Sequence, residues 1–200
     1  MLFLVGCSPA IFESNSIDEK VFSYPDLSEK NYCRGKGYII SKGNVSGRLN
    51  LTFTSSKKST YIEFRDLIGR RTLFLIISEN SINAWDIRNN RKYDQESLLL
   101  AFPFFELIKP NDLINFLWGE IPKIFKDSDN ILNNDKIKNG QIQFSSNQTE
   151  NGVLINFISF NIKNEDQKIE LFIDNRDFDM QYPHLIRKIP ESVIPKSESL

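Results

Sequence analysis

Few residues in this chain could carry covalent chemistry, and they are far apart in the sequence. His184 is the one histidine, so any catalytic pair of a nucleophile and an imidazole base would have to use it. The sequence contains no nucleophile elbow and no set of ligands at metal-binding spacing. Asp174, Asp177 and Asp179 are close in sequence, but carboxylates grouped on a turn are more often solvated than catalytic. We therefore expect no enzyme activity, no cofactor and no metal site, with a carboxylate-dependent hydrolase as the enzymatic alternative.

The two cysteines are expected to have different roles. No histidine lies near Cys33 in sequence to lower its pKa, so we interpret it as an inert buried thiol. The run of residues 1–7 is apolar and ends in Leu-Val-Gly-Cys, which resembles the lipobox of bacterial lipoprotein signal peptides. That resemblance implies that Cys7 carries the lipid and attaches the chain to a membrane, which leaves Cys33 without an intramolecular disulfide partner.

The signal at the N-terminus is short. A complete secretory signal has a basic segment and an apolar stretch of about 7–15 residues, and residues 1–7 have neither. Either the true start lies upstream of Met1, or the match is accidental and residues 1–7 are a frayed apolar terminus. If the match is real, the several acyl chains of a lipobox cysteine would hold the protein durably on the membrane.

A third kind of candidate residue is apolar. Leu67 and Ile68 stand side by side in the link between two β-rich runs, residues 60–65 and 71–78. Such a pair of runs joined by a short Gly-containing link is typical of a β-hairpin, whose tip is usually polar. Either both side chains fold back onto the edge of the core, or the tip enters an apolar environment outside the domain.

Composition limits the classes of protein to consider. The 200 residues are 40% hydrophobic and 26% charged, which is ordinary for one globular domain with tails. The net charge is -1 and the pI is about 5.9, so the chain lacks the basic surface that nucleic-acid binding needs, and we expect no nucleic-acid partner. After residue 7, no run approaches the roughly 20 apolar residues of a membrane-spanning helix.

Hydrophobic periodicity predicts a β-meander followed by helices. Residues 8–31 are polar and aperiodic and are predicted to be a tether, residues 32–190 the domain, and residues 191–200 a disordered tail. Two short apolar helices are expected, the first capped by Asp94 and the second beginning at Pro110 and stopped by Gly119. The predicted strands are residues 37–41, 48–54, 60–65, 71–78, 82–87, 91–93, 141–145, 153–162 and 168–173.

A meander with one apolar face must curl or be covered to hide that face from water. We therefore predict a mainly β (α+β) fold: a single curved antiparallel sheet, or incomplete β-barrel, with the helices inserted as a lid over its apolar concave face. The first helix has an almost uniformly apolar end, residues 98–102, which we expect to be buried.

The order of these parts resembles the LolB-like outer-membrane lipoproteins, whose fold is related to that of the periplasmic carrier LolA. The resemblance covers about residues 35–122, and the family's closing strand is not recognisable in residues 177–184. After the lipobox, the motifs that carry it are Gly35-Lys36-Gly37, Ser46-Gly47-Arg48-Leu49, Asp66-Leu67-Ile68-Gly69, Asn83-Ala84-Trp85-Asp86 leading to Tyr93, Glu96-Ser97-Leu98-Leu99-Leu100, and Leu113-Ile114 through Trp118-Gly119-Glu120-Ile121-Pro122.

The resemblance implies a function without covalent chemistry. LolB-like proteins bind acyl chains in an apolar cavity, accept lipoproteins from a soluble LolA-like carrier, and insert them into the outer membrane. By position, Ile68 with Leu67 beside it matches the family's membrane-insertion loop. The resemblance also places this protein on the periplasmic face of a bacterial outer membrane, anchored by its N-terminal lipid, and we expect a monomer.

Candidate cavity residues follow from the predicted strands and lid. On the strands they are Leu49, Leu51, Phe53, Ile62, Phe64, Leu73, Leu75 and Ile155, and on the lid Leu99, Phe102, Phe105 and Leu117. Each could equally belong to a filled core, because sequence does not distinguish the two. The alternative function is therefore a non-enzymatic envelope lipoprotein that binds another amphiphile or serves as a structural subunit of an envelope complex.

Overall fold

The structure is a computed structural model that describes residues 24–43, 46–123, 140–162, 166–179 and 188–195. Cys7 and His184 lie outside these ranges, as do most of the predicted tether and the last five residues of the predicted tail. The lipidation of Cys7 therefore stays a prediction. In the described part of the chain, no helix is long and apolar enough to cross a membrane.

The fold is mainly β, as predicted. Nine antiparallel strands form one open sheet, and a two-residue tenth strand extends it by pairing parallel to β6. The order across the sheet is β10-β6-β5-β4-β3-β2-β1-β9-β8-β7. The strands are β1 (Tyr32–Lys42), β2 (Gly47–Ser56), β3 (Ser59–Arg65), β4 (Arg71–Ser78), β5 (Ile82–Asp86), β6 (Arg91–Tyr93), β7 (Gly140–Thr149), β8 (Gly152–Ile162), β9 (Gln167–Phe178) and β10 (Ile194–Pro195).

The two short α-helices begin and end where the local sequence predicts. Helix α1 (Gln95–Ala101) begins after Asp94, whose carboxylate accepts a hydrogen bond from the Ser97 amide at 2.8 Å. A 3₁₀ helix (Pro103–Glu106) follows. Helix α2 (Pro110–Trp118) ends at Gly119, whose φ of 84° is the left-handed conformation that closes a helix at low cost in glycine.

Helix α2 carries much of the apolar core. Five of its apolar side chains are buried, and the helix contacts β2, β4 and β8, while the 3₁₀ helix contacts β8. The Trp118 indole N–H donates to the Ser55 hydroxyl at 2.8 Å. This bond satisfies the indole nitrogen, which would otherwise be buried without a hydrogen-bond partner. The buried residues of α2 are Leu113, Ile114, Phe116, Leu117 and Trp118, together with Asp112.

A half-buried arginine on β9, Arg176, fixes the C-terminal end of α2 to the sheet. The Arg176 guanidinium donates to the carbonyl oxygens of Leu117 at 2.7 Å, Phe116 at 2.9 Å and Ile155 at 2.6 Å. The last carbonyls of a helix have no partner inside the helix, so these bonds satisfy acceptors that would otherwise be buried alone. Burial lowers the pKa of Arg176 to about 10, which leaves it charged at neutral pH.

The predicted boundary between tether and domain is wrong by several residues. The tether was predicted to run to residue 31, but Leu27 is buried in the core, and its carbonyl accepts a hydrogen bond from the Lys57 ammonium at 2.8 Å. Lys30 also forms an ion pair with Asp179 at 2.6 Å. Residues 24–31 therefore lie on the domain as a strap. An isolated apolar residue in a polar stretch gives no periodic signal, so Leu27 did not mark the segment as structured.

The C-terminal prediction also needs correction. Residues 191–200 were predicted to be a disordered tail, but Val193 is buried and β10 pairs with β6. Strand β9 continues to Phe178, so residues 174–178 belong to the sheet, and residues 175–178 pair with the start of β1. Their side chains are Asp, Asn, Arg, Asp and Phe, and a polar strand end of this kind has no apolar alternation to identify it.

Antiparallel pairing places alternate connections at opposite ends of the sheet. The β1–β2, β3–β4 and β5–β6 connections and the start of β9 lie at one end, which we call the tip end. The strap, the β2–β3 and β4–β5 turns, the start of β8 and the end of α2 lie at the other, the strap end.

We expect Arg176→Met to lower the free energy of unfolding by about 2–4 kcal/mol, because three buried carbonyls lose a charged donor. Chemical denaturation of the purified variant measures this change. The matched control is Arg34→Met, whose side chain is exposed and pairs with Asp177; there we expect a loss of about 1 kcal/mol or less. Equal losses in both variants would contradict the role given to Arg176.

Candidate functional site: an apolar cavity and a hairpin tip

A cavity of about 510 Å³ lies between the sheet and the segment that contains the end of α1 and the 3₁₀ helix. Its volume falls in the range of about 300–1,000 Å³ that is common for small-molecule sites. The lining is predominantly apolar, and its residues are Ile39, Leu49, Leu51, Ile62, Phe64, Leu73, Leu75, Ile162, Ile169 and Leu171 from the sheet, Leu100, Ala101, Phe102, Pro103, Phe104, Phe105 and Leu113 from the helical segment, and Ser41, Ser46, Gly47, Arg48 and Gln167.

The structure brings eight of the twelve candidate cavity residues together around this space. Sheet alternation explains six of them, because residues two apart on neighbouring strands face the same side. Cross-strand pairs of Leu51 with Phe64, Ile62 with Leu75, and Phe64 with Leu73 make the wall continuous from β2 to β4. The eight lining residues are Leu49, Leu51, Ile62, Phe64, Leu73, Leu75, Phe102 and Phe105.

The other four candidates do not line the cavity. Phe53, Leu117 and Ile155 are buried in the core, and Leu99 is half-buried against it. Leu117 and Ile155 lie at the strap end, where α2 meets β8 and where Arg176 binds their carbonyls. Phe53 packs over Gly35, where an added Cβ would come within 2.5 Å of the ring. Phe53, Leu117 and Ile155 thus fill the core towards the strap end instead of lining the cavity.

Part of the cavity wall was not among the candidates from the sequence. Ile169 and Leu171 on β9 face the cavity beside Ile39 on β1. Their alternation with Lys168 and Glu170 marks them as one face of a strand, but their position depends on β9 pairing with β1. That pairing joins residues more than a hundred positions apart, and no local signal predicts it.

The polar residues of the lining lie at the tip end, where β1 and β2 meet and β9 begins. The Gln167 side-chain amide donates to the Ser41 hydroxyl at 2.6 Å, and Arg48 lies with its guanidinium 3.9 Å from the centroid of the Tyr38 ring. The cavity therefore has an apolar interior and a polar margin, an arrangement that suits a ligand with a long apolar part and a polar head.

One residue beside the cavity departs from the prediction for α1. Residues 98–102 were expected to be buried, but Leu100 is 75% exposed. Helix α1 is only seven residues long and buries Leu98, which leaves Leu100, two residues later, pointing away from the core. The result is an exposed apolar side chain that also belongs to the cavity lining.

The tip of the β3–β4 hairpin carries two strongly exposed aliphatic side chains, Leu67 and Ile68. Leu67 is 72% exposed and Ile68 is 75% exposed, so the alternative in which they fold back onto the core does not hold. The same hairpin supplies Phe64 and Leu73 to the cavity wall, so the tip and the cavity are parts of one local element.

Polar contacts, rather than packing of the apolar pair, hold the hairpin tip in shape. One Asp66 carboxylate oxygen accepts hydrogen bonds from the amides of Ile68 at 3.1 Å and Arg70 at 2.9 Å, and the other accepts one from the Arg70 guanidinium at 2.7 Å. Gly69 provides the positive φ of 83° that the turn needs. These hydrogen bonds lower the pKa of Asp66 below its usual value, and the bond from the Arg70 side chain has the largest effect.

Cys33 lies away from the cavity, fully buried at the strap end of β1. Burial raises the pKa of its thiol to about 12, against a smaller opposite effect of the Arg176 charge. The thiol is thus protonated and inaccessible at neutral pH, in agreement with its interpretation as an inert buried cysteine.

No protein-family model matches this chain, and no curated protein sequence matches it.

We expect acidification to loosen the hairpin tip before it unfolds the domain. The pKa of Asp66 is lowered in the folded state, so its contribution is present above about pH 4, the unfolded pKa, and is lost as the pH falls through the lower folded value. Amide hydrogen exchange at Ile68 and Arg70 measures this. Asp66→Ala should remove the pH dependence, whereas an unchanged profile in that variant would contradict the assignment.

We also expect Cys33 to resist alkylation by iodoacetamide in the native protein and to react once the protein is unfolded. The measurement is mass spectrometry of the Cys7→Ser chain with and without denaturant. Lys58→Cys places an exposed thiol on the same chain as a positive control. Rapid native labelling of Cys33 would show that the strap end opens readily.

Proposed function

We propose that this protein is a membrane-anchored, acyl-chain-binding lipoprotein that accepts lipoproteins from a periplasmic carrier and inserts them into the outer membrane. One observation carries the proposal: a cavity with an apolar interior adjoins a hairpin whose tip exposes two large aliphatic side chains. The cavity would hold the acyl chains of the cargo, and the tip would enter the bilayer that receives them.

The cavity supports acyl binding through its chemistry. Leucine, isoleucine and phenylalanine side chains form most of its wall and offer an acyl chain no specific hydrogen bonds, so binding would be driven by removal of apolar surface from water. Ser41 and Gln167 at its margin would face the polar part of the bound molecule.

The contacts of α2 support a sheet that curves around its helices. This helix contacts both β4 and β8, which are five strand positions apart in the sheet. In a flat sheet those strands would be about 24 Å from each other, more than one helix of about 10–12 Å diameter could bridge. A curved, incomplete barrel removes the difficulty.

We further propose that α1 and the 3₁₀ helix form a lid over the concave face. The cavity is bounded on one side by the sheet and on the other by residues 100–105 of this segment. The segment is fixed to the core through Leu98 and Ile108, while Leu100 is exposed beside the cavity. A short element held at both ends can move without disturbing the sheet, which would give a bulky acyl chain a way in.

The hairpin tip supports membrane contact through its exposure. Full burial of Leu67 and Ile68 among acyl chains would contribute about 1.5–3 kcal/mol each. That gain is enough to favour docking and too small to anchor the domain, so the tip would engage and release. Delivery would then proceed because the bilayer holds the acyl chains more favourably than the cavity does.

A fluorescent acylated ligand tests the two parts separately, with the Cys7→Ser chain as the starting protein. We expect saturable uptake by this protein and transfer of the ligand to liposomes. Ile68→Glu should keep uptake and lower the rate of transfer about tenfold or more, because a charge replaces the side chain that enters the apolar layer. Ile68→Leu keeps the apolar character and is the matched control, with transfer unchanged.

A cavity variant completes the experiment. Leu49→Trp adds volume at a half-buried position in the cavity wall and should abolish or strongly weaken uptake while the protein remains folded. Absence of saturable uptake by the starting protein would overturn the carrier function and leave a structural envelope lipoprotein in its place. Normal transfer by Ile68→Glu would overturn the role of the tip alone.

A further inference from the structure

Charge is distributed unevenly between the two ends of the sheet. The tip end is rich in basic side chains, although the chain as a whole has a net charge of -1. Among the described residues at the tip end, the basic ones are Lys42, Arg48, Arg65, Arg70, Arg71, Arg88, Arg91 and Lys168, and the acidic ones are Glu63, Asp66, Asp86, Asp166 and Glu170.

The strap end has the opposite balance. Its acidic side chains within the described ranges are Asp26, Glu29, Glu79, Glu120, Glu150, Asp174, Asp177 and Asp179, and its basic ones are Lys30, Arg34, Lys36, Lys57, Lys58 and the half-buried Arg176. The molecule is therefore electrically polar along the strand direction, with the exposed apolar pair at its positive end.

Ion pairs do not cancel the positive charge of the tip end. Glu63 lies between Arg65 and Arg71, and its own side chain is only 8% exposed while those of the arginines are 40% and 56% exposed. One carboxylate is thus shared by two accessible guanidinium groups. Arg70, paired with Asp66, is itself 64% exposed.

Two further arginines have no carboxylate partner in the described part of the chain. Arg88 is exposed in the β5–β6 turn, and none of the described residues forms an ion pair with it. Arg48 is exposed at the start of β2, where its guanidinium stacks on the Tyr38 ring. Guanidinium groups bind phosphate through two parallel hydrogen bonds, so these side chains suit a surface of phosphate groups.

We propose that the tip end is a docking surface for an anionic lipid bilayer, in which the arginines around the tip bind headgroup phosphates while Leu67 and Ile68 enter the layer below. The combination of a protruding apolar pair and a basic surround matches a bilayer, which is apolar inside and negatively charged at its surface. An acidic protein partner would match the charge but would leave the apolar pair unexplained. The acidic strap end would be repelled, which orients the domain.

This inference rests on the proposed function only in taking the hairpin tip as the membrane-facing part. Ligand uptake by the cavity is measured without any membrane, so the two can fail independently. If uptake is absent and anionic vesicles still bind, the docking surface stands and the carrier function does not.

Vesicle co-sedimentation of the full chain with Cys7→Ser tests the docking surface. One set of vesicles is phosphatidylcholine alone, and the other is an equal mixture of phosphatidylcholine and phosphatidylglycerol. We expect about tenfold or tighter partition onto the anionic vesicles at low salt, and most of this preference should be lost as added salt screens the surface charge.

Two charge reversals locate the surface. Arg88→Glu should lower partition onto the anionic vesicles about five- to tenfold and leave partition onto pure phosphatidylcholine unchanged. Lys58→Glu makes the same change of charge at an exposed position of the strap end and should have little effect. Equal partition of the starting protein onto both vesicles, or equal losses from both reversals, would overturn the proposal.

Discussion

The pairing of β1 with β9 is the constraint on which the rest of the structure depends. Strand β1 lies between β2, its neighbour in sequence, and β9, which returns from the far end of the chain. Without that pairing, the N-terminal meander and the β7–β8–β9 meander would be separate sheets, each with an uncovered edge. Gly37 permits the close approach, because an added Cβ would lie 1.9 Å from the Phe172 carbonyl oxygen.

This pairing also decides which strands α2 contacts. Once the two meanders form one sheet, α2 can contact strands of both, and Arg176 on β9 can bind the carbonyls at the end of α2. Core side chains at the end of α2 fill this region, and the cavity lies between the sheet and residues 100–105.

The two ends of the domain therefore differ in packing, in charge and in exposure. The strap end contains the buried thiol of Cys33, the hydrogen bonds of Arg176 to the end of α2, and the larger share of the carboxylates. The tip end contains the cavity margin, the exposed Leu67 and Ile68 and most of the accessible arginines.

The sequence by itself determined the local elements. Asp94, Pro110 and Gly119 fixed the helix boundaries, the hairpin of β3 and β4 followed from its alternation and its glycine, and Leu67 and Ile68 stood out because apolar residues are unusual at a tip. Capping, turn geometry and alternation act over a few residues, so their signals lie within a short window of sequence.

Only the tertiary structure decided where the core ends and the cavity begins. Residue type does not separate the two groups, since all six side chains are apolar. Three are packed in the core (Phe53, Leu117 and Ile155), and three line the cavity (Leu51, Phe105 and Ile62). The difference lies in which side chains arrive opposite them, through the pairing of β1 with β9 and the reach of α2. Those contacts join residues that are distant in sequence, so the type of a residue does not predict them.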